Sequence, residues 1–87
     1  MKIKNGFVVR EIAGECVVVA LGEASRIFNG IIKLNETAKL IWNMLAEGSE
    51  KEAIIANILV IYDIDRETAE KDFDRFVQTL KGANILE

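Results

Sequence analysis

The spacing of the apolar residues changes once along the chain, near residue 35, from a pattern typical of strands to one typical of helices. Before that point, Phe7–Ile12 and Glu15–Leu21 are rich in Val and Ile, which favour a pleated strand. Ala13-Gly14 lies between them and predicts a tight turn, because glycine takes a positive φ without steric cost. The sequence therefore predicts a β-hairpin.

A third, short strand is predicted at Ile31-Ile32-Lys33-Leu34, directly after the turn signal Asn29-Gly30. A polar connection, Gly22-Glu23-Ala24-Ser25, follows the second strand. A three-stranded antiparallel sheet needs a second layer to cover one of its faces, and the rest of the chain supplies one.

Three helices are predicted after this sheet. The residues placed to cap or end them are Asn35 and Gly48, then Ser49 and Glu52 as a capping box, then Asp65 and Gly82. The predicted buried positions are Ala38, Ile41, Trp42 and Leu45, then Ile54, Ile55, Ile58, Leu59 and Ile61, then Ala69, Phe73, Phe76, Val77 and Leu80. The second helix, which runs to about Tyr62, has the widest apolar arc and is expected to be the best buried.

The element order β-β-β-α-α-α within 87 residues predicts one domain, residues 1–87. We expect an α+β, winged-helix-like fold with a three-stranded antiparallel sheet followed by three helices. Ile85-Leu86 is expected to pack back on this domain as a short extended tail.

The residue types that most catalytic sites need are scarce. The chain has no histidine and a single cysteine, Cys16, which lies in an apolar stretch and is interpreted as a small core thiol. Asp63 and Asp65 are interpreted as helix-terminus residues, because the glycine and glutamate of a calcium-binding EF-hand are missing from their required positions. We therefore expect a non-catalytic protein with no cofactor and no metal.

A net charge of −3 indicates no general affinity for nucleic acids or acidic membranes. The N-terminus lacks the apolar run of a signal peptide, and no segment approaches the ~20 apolar residues that span a bilayer. A lone cysteine cannot form an intrachain disulfide, which favours a reducing compartment. We expect a cytoplasmic protein with no nucleic-acid and no membrane partner.

The edge of the third strand is a candidate binding site, since an unpaired edge can accept an extended peptide as a further strand. In a winged-helix-like fold the third helix can lie beside this edge, and Asp72, Arg75, Phe76 and Thr79 have the spacing to line a groove there. The alternative is that the third strand is covered and the third helix only completes the core.

Two other functions stay open at this point. A DNA-binding winged helix needs a basic recognition helix, whereas the predicted third helix balances its Lys and Arg residues with acidic ones. A self-associating adaptor would pair its strand edge with that of a second copy and form a homodimer.

The stretch Leu34-Asn35-Glu36-Thr37-Ala38, followed by Ile41-Trp42, Leu45 and Gly48, resembles the hallmark of the PqqD-like family, named for pyrroloquinoline quinone synthesis protein D. The likeness continues through Tyr62-Asp63 and the acid-rich third helix to the closing segment Gly82–Leu86. It covers the chain from about Gly6 onward, and it is the ordered series of motifs that makes the match.

The resemblance implies a peptide-recognition domain that binds the leader of a ribosomally made precursor peptide on the third strand, beside the third helix. It implies two partners, the precursor (leader) peptide and a radical S-adenosylmethionine (radical SAM) maturation enzyme to which the precursor is presented. Carried onto this sequence, the predicted peptide-binding residues are Ile31, Ile32, Lys33 and Leu34 on the strand, and Asp72, Arg75, Phe76 and Thr79 on the helix.

Overall fold

Three strands and three α-helices follow one another in the computed structural model, which describes residues 1–87. The strands are β1 (Phe7–Ile12), β2 (Glu15–Ala20) and β3 (Ile32–Leu34), and the helices are α1 (Glu36–Ala46), α2 (Lys51–Ile61) and α3 (Arg66–Gly82). The strands form one antiparallel sheet in the order β1-β2-β3. The predicted α+β class, a three-stranded antiparallel sheet followed by three helices, is confirmed.

The hairpin is closed by the predicted turn. Ala13 has a φ of 52° and Gly14 a φ of 81°, and a two-residue type I′ turn requires positive values at both positions. Ile12 therefore pairs with Glu15, and the register continues to Phe7 opposite Ala20. β2 ends one residue earlier than predicted, at Ala20.

The hydrophobic core lies between the helices and one face of the sheet. Val18 and Leu34 supply the sheet side of this core, and Trp42 on α1 is buried as predicted. α3 buries every core residue predicted for it: Ala69, Phe73, Phe76, Val77 and Leu80. None of the helices is both long enough and apolar enough to cross a bilayer.

Two of the predicted helix caps are present. The Asn35 side chain accepts a hydrogen bond of 2.8 Å from the Ala38 N–H, and the Asp65 carboxylate accepts one of 2.8 Å from the Thr68 N–H. Hydrogen bonds from the Thr68 side chain and from its backbone N–H hold the pKa of Asp65 below its usual value. Both caps satisfy backbone donors that a helix start leaves without a partner.

The prediction for the start of α2 was wrong. Its N-cap is Glu50, with no side-chain hydrogen bond, and the predicted capping box of Ser49 and Glu52 does not form. The Glu52 carboxylate instead pairs with Arg66 at the start of α3, and the Ser49 N–H turns back to the Met44 carbonyl at 2.9 Å. The N-termini of α2 and α3 are thereby tied to each other.

α2 is also less buried than its apolar composition predicted. Ile54, Ile55 and Ile58 are fully buried, but Val60 is 83% exposed and Ile61 is 56% exposed. The apolar residues of α2 surround the helix, whereas only one of its faces meets α1 and α3. α3, with its narrower apolar stripe, buries more side chains than α2.

The two chain ends meet, as the predicted tail requires. Ile85 is fully buried, and Leu86 forms an antiparallel bridge with Ile3. Asn84, with a φ of 59°, takes the left-handed conformation after α3, while Gly82, predicted to end the helix, is its last residue. These contacts fix the C-terminal end of α3 beside the sheet.

Candidate functional site

β3 is an edge strand. It pairs with β2 alone, with Cys16 opposite Leu34, Val17 opposite Lys33 and Val18 opposite Ile32. It is one residue shorter than predicted, because Ile31 precedes the strand and is 60% exposed. The sheet order therefore rules out the part of the alternative in which the third strand is an interior strand.

The hairpin turn determines which way each backbone group of β2 points. In a two-residue hairpin the closing pair, here Ile12 and Glu15, is hydrogen-bonded, and hydrogen-bonded and non-hydrogen-bonded pairs then alternate along the ladder. The hydrogen bond of 2.7 Å from the Leu21 N–H to the Gly6 carbonyl fits this alternation, because Gly6 and Leu21 are the next pair expected to be hydrogen-bonded. The backbone groups of Cys16 and Val18 consequently point away from β1 and toward β3.

The same alternation identifies the free groups of β3. Ile32 and Leu34 lie opposite Val18 and Cys16, so their backbone groups are directed to β2. The N–H and C=O of Lys33 between them point to the open side of the sheet. Lys33 is therefore the residue of β3 that offers a donor and an acceptor to another chain.

The side chains of β3 alternate between the two faces of the sheet. Leu34 is buried and Ile32 is partly buried against the core, while Lys33 lies on the face away from the helices. There the Lys33 ammonium is 3.3 Å from the Glu15 carboxylate. The Lys33 side chain also lies across from Val17, which is only 4% exposed although it is not part of the main core.

A groove runs between β3 and α3. Its polar section contains all four helix residues predicted for the site, together with Lys33 from the strand. The lining residues of this polar section are Lys33, Asn35, Thr37, Ala38, Ile41, Asp72, Arg75, Phe76 and Thr79. The structure thus brings the predicted helix wall beside Lys33 of the predicted strand wall.

The groove continues past Thr79 into a more apolar section. This apolar section is lined by Ile27, Phe28, Ile31, Ile32, Thr79, Gly82, Ala83 and Asn84. Of the predicted site residues, Ile31 and Ile32 lie here, whereas Leu34 lines neither section and belongs to the core. Ile27 and Phe28 were missed, although an apolar pair in an otherwise polar connection was visible in the sequence.

The connection that carries Ile27 and Phe28 is structured. Residues Gly22–Arg26, where a polar connection was predicted, form a short 3-10 helix with Ala24 buried. The Phe28 N–H donates to the Ala24 carbonyl at 3.1 Å, which extends this turn up to the groove. The apolar section therefore has a fixed wall opposite the end of α3.

Several polar groups of the groove are already engaged within the chain. The Thr79 hydroxyl donates to the Arg75 carbonyl at 3.1 Å, and the Asn35 side chain caps α1. Arg75 is the exception: its side chain is 78% exposed, and its nearest acidic group, the Asp72 carboxylate, is 3.8 Å away. Arg75 can therefore reorient toward a molecule that enters the groove.

The other edge of the sheet, on β1, lies outside this groove. The alternation of the ladder directs the backbone groups of Val9 and Glu11 outward there. The Arg10 guanidinium donates to the Val9 carbonyl at 3.2 Å, and both Arg10 and Glu11 are exposed. Charged side chains of this kind protect an edge against pairing, so β3 is the more open edge.

No candidate metal site accompanies the groove. The structure brings no three His, Cys, Asp or Glu side chains together in a metal-binding arrangement. Cys16 packs against the core, as a core thiol does, but it is partly buried where a buried thiol was predicted. The groove offers backbone pairing, apolar contact and one exposed cation, which are means of peptide recognition.

The family model described as Coenzyme PQQ synthesis protein D (PqqD) matches residues 15–86. The structure of TbiB1 in complex with the TbiA(beta) leader peptide is similar to this chain with a TM-score of 0.80 and 31% identity, over 100% of this chain and 95% of that one. Lasso peptide synthetase B1 complexed with the leader peptide has a TM-score of 0.78 and 22% identity, over 99% and 95%, and shows the fold alone. No curated protein matches the chain significantly.

Proposed function

Because the chain belongs to the PqqD family, we propose that it is a non-catalytic protein that binds the leader of a ribosomally made precursor peptide as a fourth strand on β3. The observation that carries this proposal is the unpaired N–H and C=O of Lys33 beside the groove of α3. TbiB1, with 31% identity over the full chain, was solved with a leader peptide. Strand addition supplies affinity through the backbone, and the groove supplies selectivity through side chains.

We propose further that the bound precursor is presented to a modifying enzyme, with a radical SAM maturation enzyme as the expected partner. Presentation suits this geometry, because only the leader would form the added strand on β3. The remainder of the precursor would then stay outside the domain. Copurification of the chain with the enzyme and with the precursor tests this partner. The enzyme should associate more tightly when the leader is present.

The charges of α3 disfavour the alternative of a DNA-binding regulator. This helix carries as many acidic as basic side chains, and two of its cations pair with acidic neighbours, Arg66 with Glu70 and Lys71 with Glu67. Affinity for DNA rests on uncompensated Lys and Arg side chains that contact phosphates. We therefore expect no shift of duplex DNA in a mobility assay at physiological salt.

Replacing Lys33 with proline tests strand addition directly. Proline removes the outward N–H without removing a bond to β2, so the sheet should stay intact. One lost hydrogen bond costs about 0.5–1.5 kcal/mol, and the affinity for a leader should fall by several-fold to about tenfold. The measurement is a titration with synthetic leaders taken from short reading frames next to the gene.

Glu11→Pro is the matched control, because it removes an outward N–H from the opposite edge. It should leave the affinity unchanged. Ile32→Pro, in contrast, removes a donor to β2 and should destabilise the fold itself. An unchanged affinity in a folded Lys33→Pro variant would show that β3 is not the binding edge.

A further inference from the structure

The two sections of the groove differ in chemistry and meet at Thr79. The side of Thr79 nearest the end of β3 is polar, whereas the side nearest Ile31 is apolar. A strand on β3 directs every second side chain to the same face, so one peptide can place side chains in both sections. The two sections can therefore select two positions of the same leader.

The apolar section is suited to a large aliphatic or aromatic side chain. Ile27 is 49% exposed and Ile31 is 60% exposed, and both line this section together with Phe28. Removing such apolar surface from water is favourable in proportion to its area. A polar side chain would gain little here, because few of the lining residues carry polar side chains.

The polar section is suited to an acidic side chain. Its lining includes three charged residues, Lys33, Asp72 and Arg75, but the Lys33 side chain lies on the opposite face of the sheet. The Lys33 ammonium is held 3.3 Å from Glu15, while the Arg75 guanidinium reaches Asp72 only at 3.8 Å. Arg75 is thus the group with free donors, and a carboxylate can accept two of them at once.

The helix sets the spacing between these sections. Arg75 and Gly82 lie about two turns apart on α3, or roughly 10 Å along its axis. A strand rises about 3.3 Å per residue, and only alternate side chains share a face. The two selected residues should therefore lie roughly two or four positions apart in the bound peptide.

Building on the proposed leader-binding function, we propose that the groove selects leaders with one large apolar residue and one acidic residue at this even spacing. The apolar residue contacts Ile27 and Ile31, and the acidic residue pairs with Arg75. The order of the two residues reports the direction of the strand. In a peptide antiparallel to β3 the acidic residue comes first, because the polar section lies toward the C-terminal end of β3.

A displayed library of random peptides of about twelve residues tests this selection with the intact protein as bait. Wild-type protein should enrich peptides with the apolar and acidic pair at even spacing. Arg75→Glu should enrich a basic residue in place of the acidic one, at the same spacing. It should also weaken the wild-type binders by about tenfold or more, as expected for a charge-assisted hydrogen bond that is lost.

Arg10→Glu is the matched control, because it makes the same charge change on the edge of β1. It should enrich the same peptides as the wild type. Arg75→Gln, which keeps a polar side chain, is the second variant if Arg75→Glu does not fold. It should lose the preference for acidic residues without gaining a preference for basic residues.

The outcomes separate this inference from the function on which it rests. Two results would overturn the selection rule alone. In the first, the enriched peptides lose affinity with Lys33→Pro but lack the paired pattern. In the second, Arg75→Glu still enriches peptides with an acidic residue. Enriched peptides that bind Lys33→Pro as tightly as the wild type would overturn strand addition itself.

Discussion

Gly6 shows how one residue determines the path of the chain into the sheet. Its φ is 94°, and a Cβ at this position would lie 2.7 Å from the Ala24 Cβ. Both the positive φ and the close approach of the 3-10 helix require glycine here. Because Ala24 belongs to the connection that ends at Phe28, Gly6 indirectly positions one wall of the apolar section.

Gly6→Ala should therefore destabilise the protein by about 1–3 kcal/mol, the usual range for a strained backbone position. Urea unfolding followed by circular dichroism measures this change in the free energy of unfolding. Gly82→Ala is the control: it lies in α3 with no atom within 4 Å of an added Cβ, and it should be neutral or slightly stabilising. Equal stability of the two variants would contradict the packing described for Gly6.

At the scale of the elements, helix caps were predictable because they depend on residues next to each other in the sequence. Asn35 and Asp65 cap α1 and α3 as their positions indicated. The capping box predicted at Ser49 does not form, because the Glu52 carboxylate pairs with Arg66, a residue on another helix. A local motif cannot reveal a distant competitor for the same carboxylate.

The cap at Asp65 predicts a pH dependence. Its pKa is lowered in the folded state, so the unfolded chain binds the proton more readily. The cap therefore stabilises the fold at pH values above the ordinary pKa of aspartate, about 3.9, and its contribution is lost as the pH falls through the folded-state pKa.

Asp65→Asn keeps a cap acceptor but cannot titrate. Thermal unfolding between about pH 2 and pH 6 should show a smaller loss of stability for this variant than for the wild type. Identical pH profiles would show that the Asp65 carboxylate makes no net contribution in its charged form.

At the scale of the whole molecule, the sequence predicted the sheet, the order of the elements and most of the core, because the spacing of apolar residues distinguishes strands from helices within a short stretch of chain. It also placed Lys33, Asp72, Arg75, Phe76 and Thr79 in one groove, since strand edge and helix face follow from element order. The apolar section was not predicted. Its walls lie in two stretches far apart in the sequence, residues 27–32 and 79–84, and only the folded chain shows that Phe28 and Ala83 line the same section.

The central claim is that the Lys33 N–H has no partner in the free protein and gains one when a leader binds. Amide hydrogen exchange of Lys33, measured by NMR with and without a saturating leader peptide, tests it most directly. We predict rapid exchange in the free protein and strong protection in the complex, with the Glu11 amide unprotected in both. A Lys33 amide that is already protected without peptide, or that exchanges equally fast in the complex, would contradict the account.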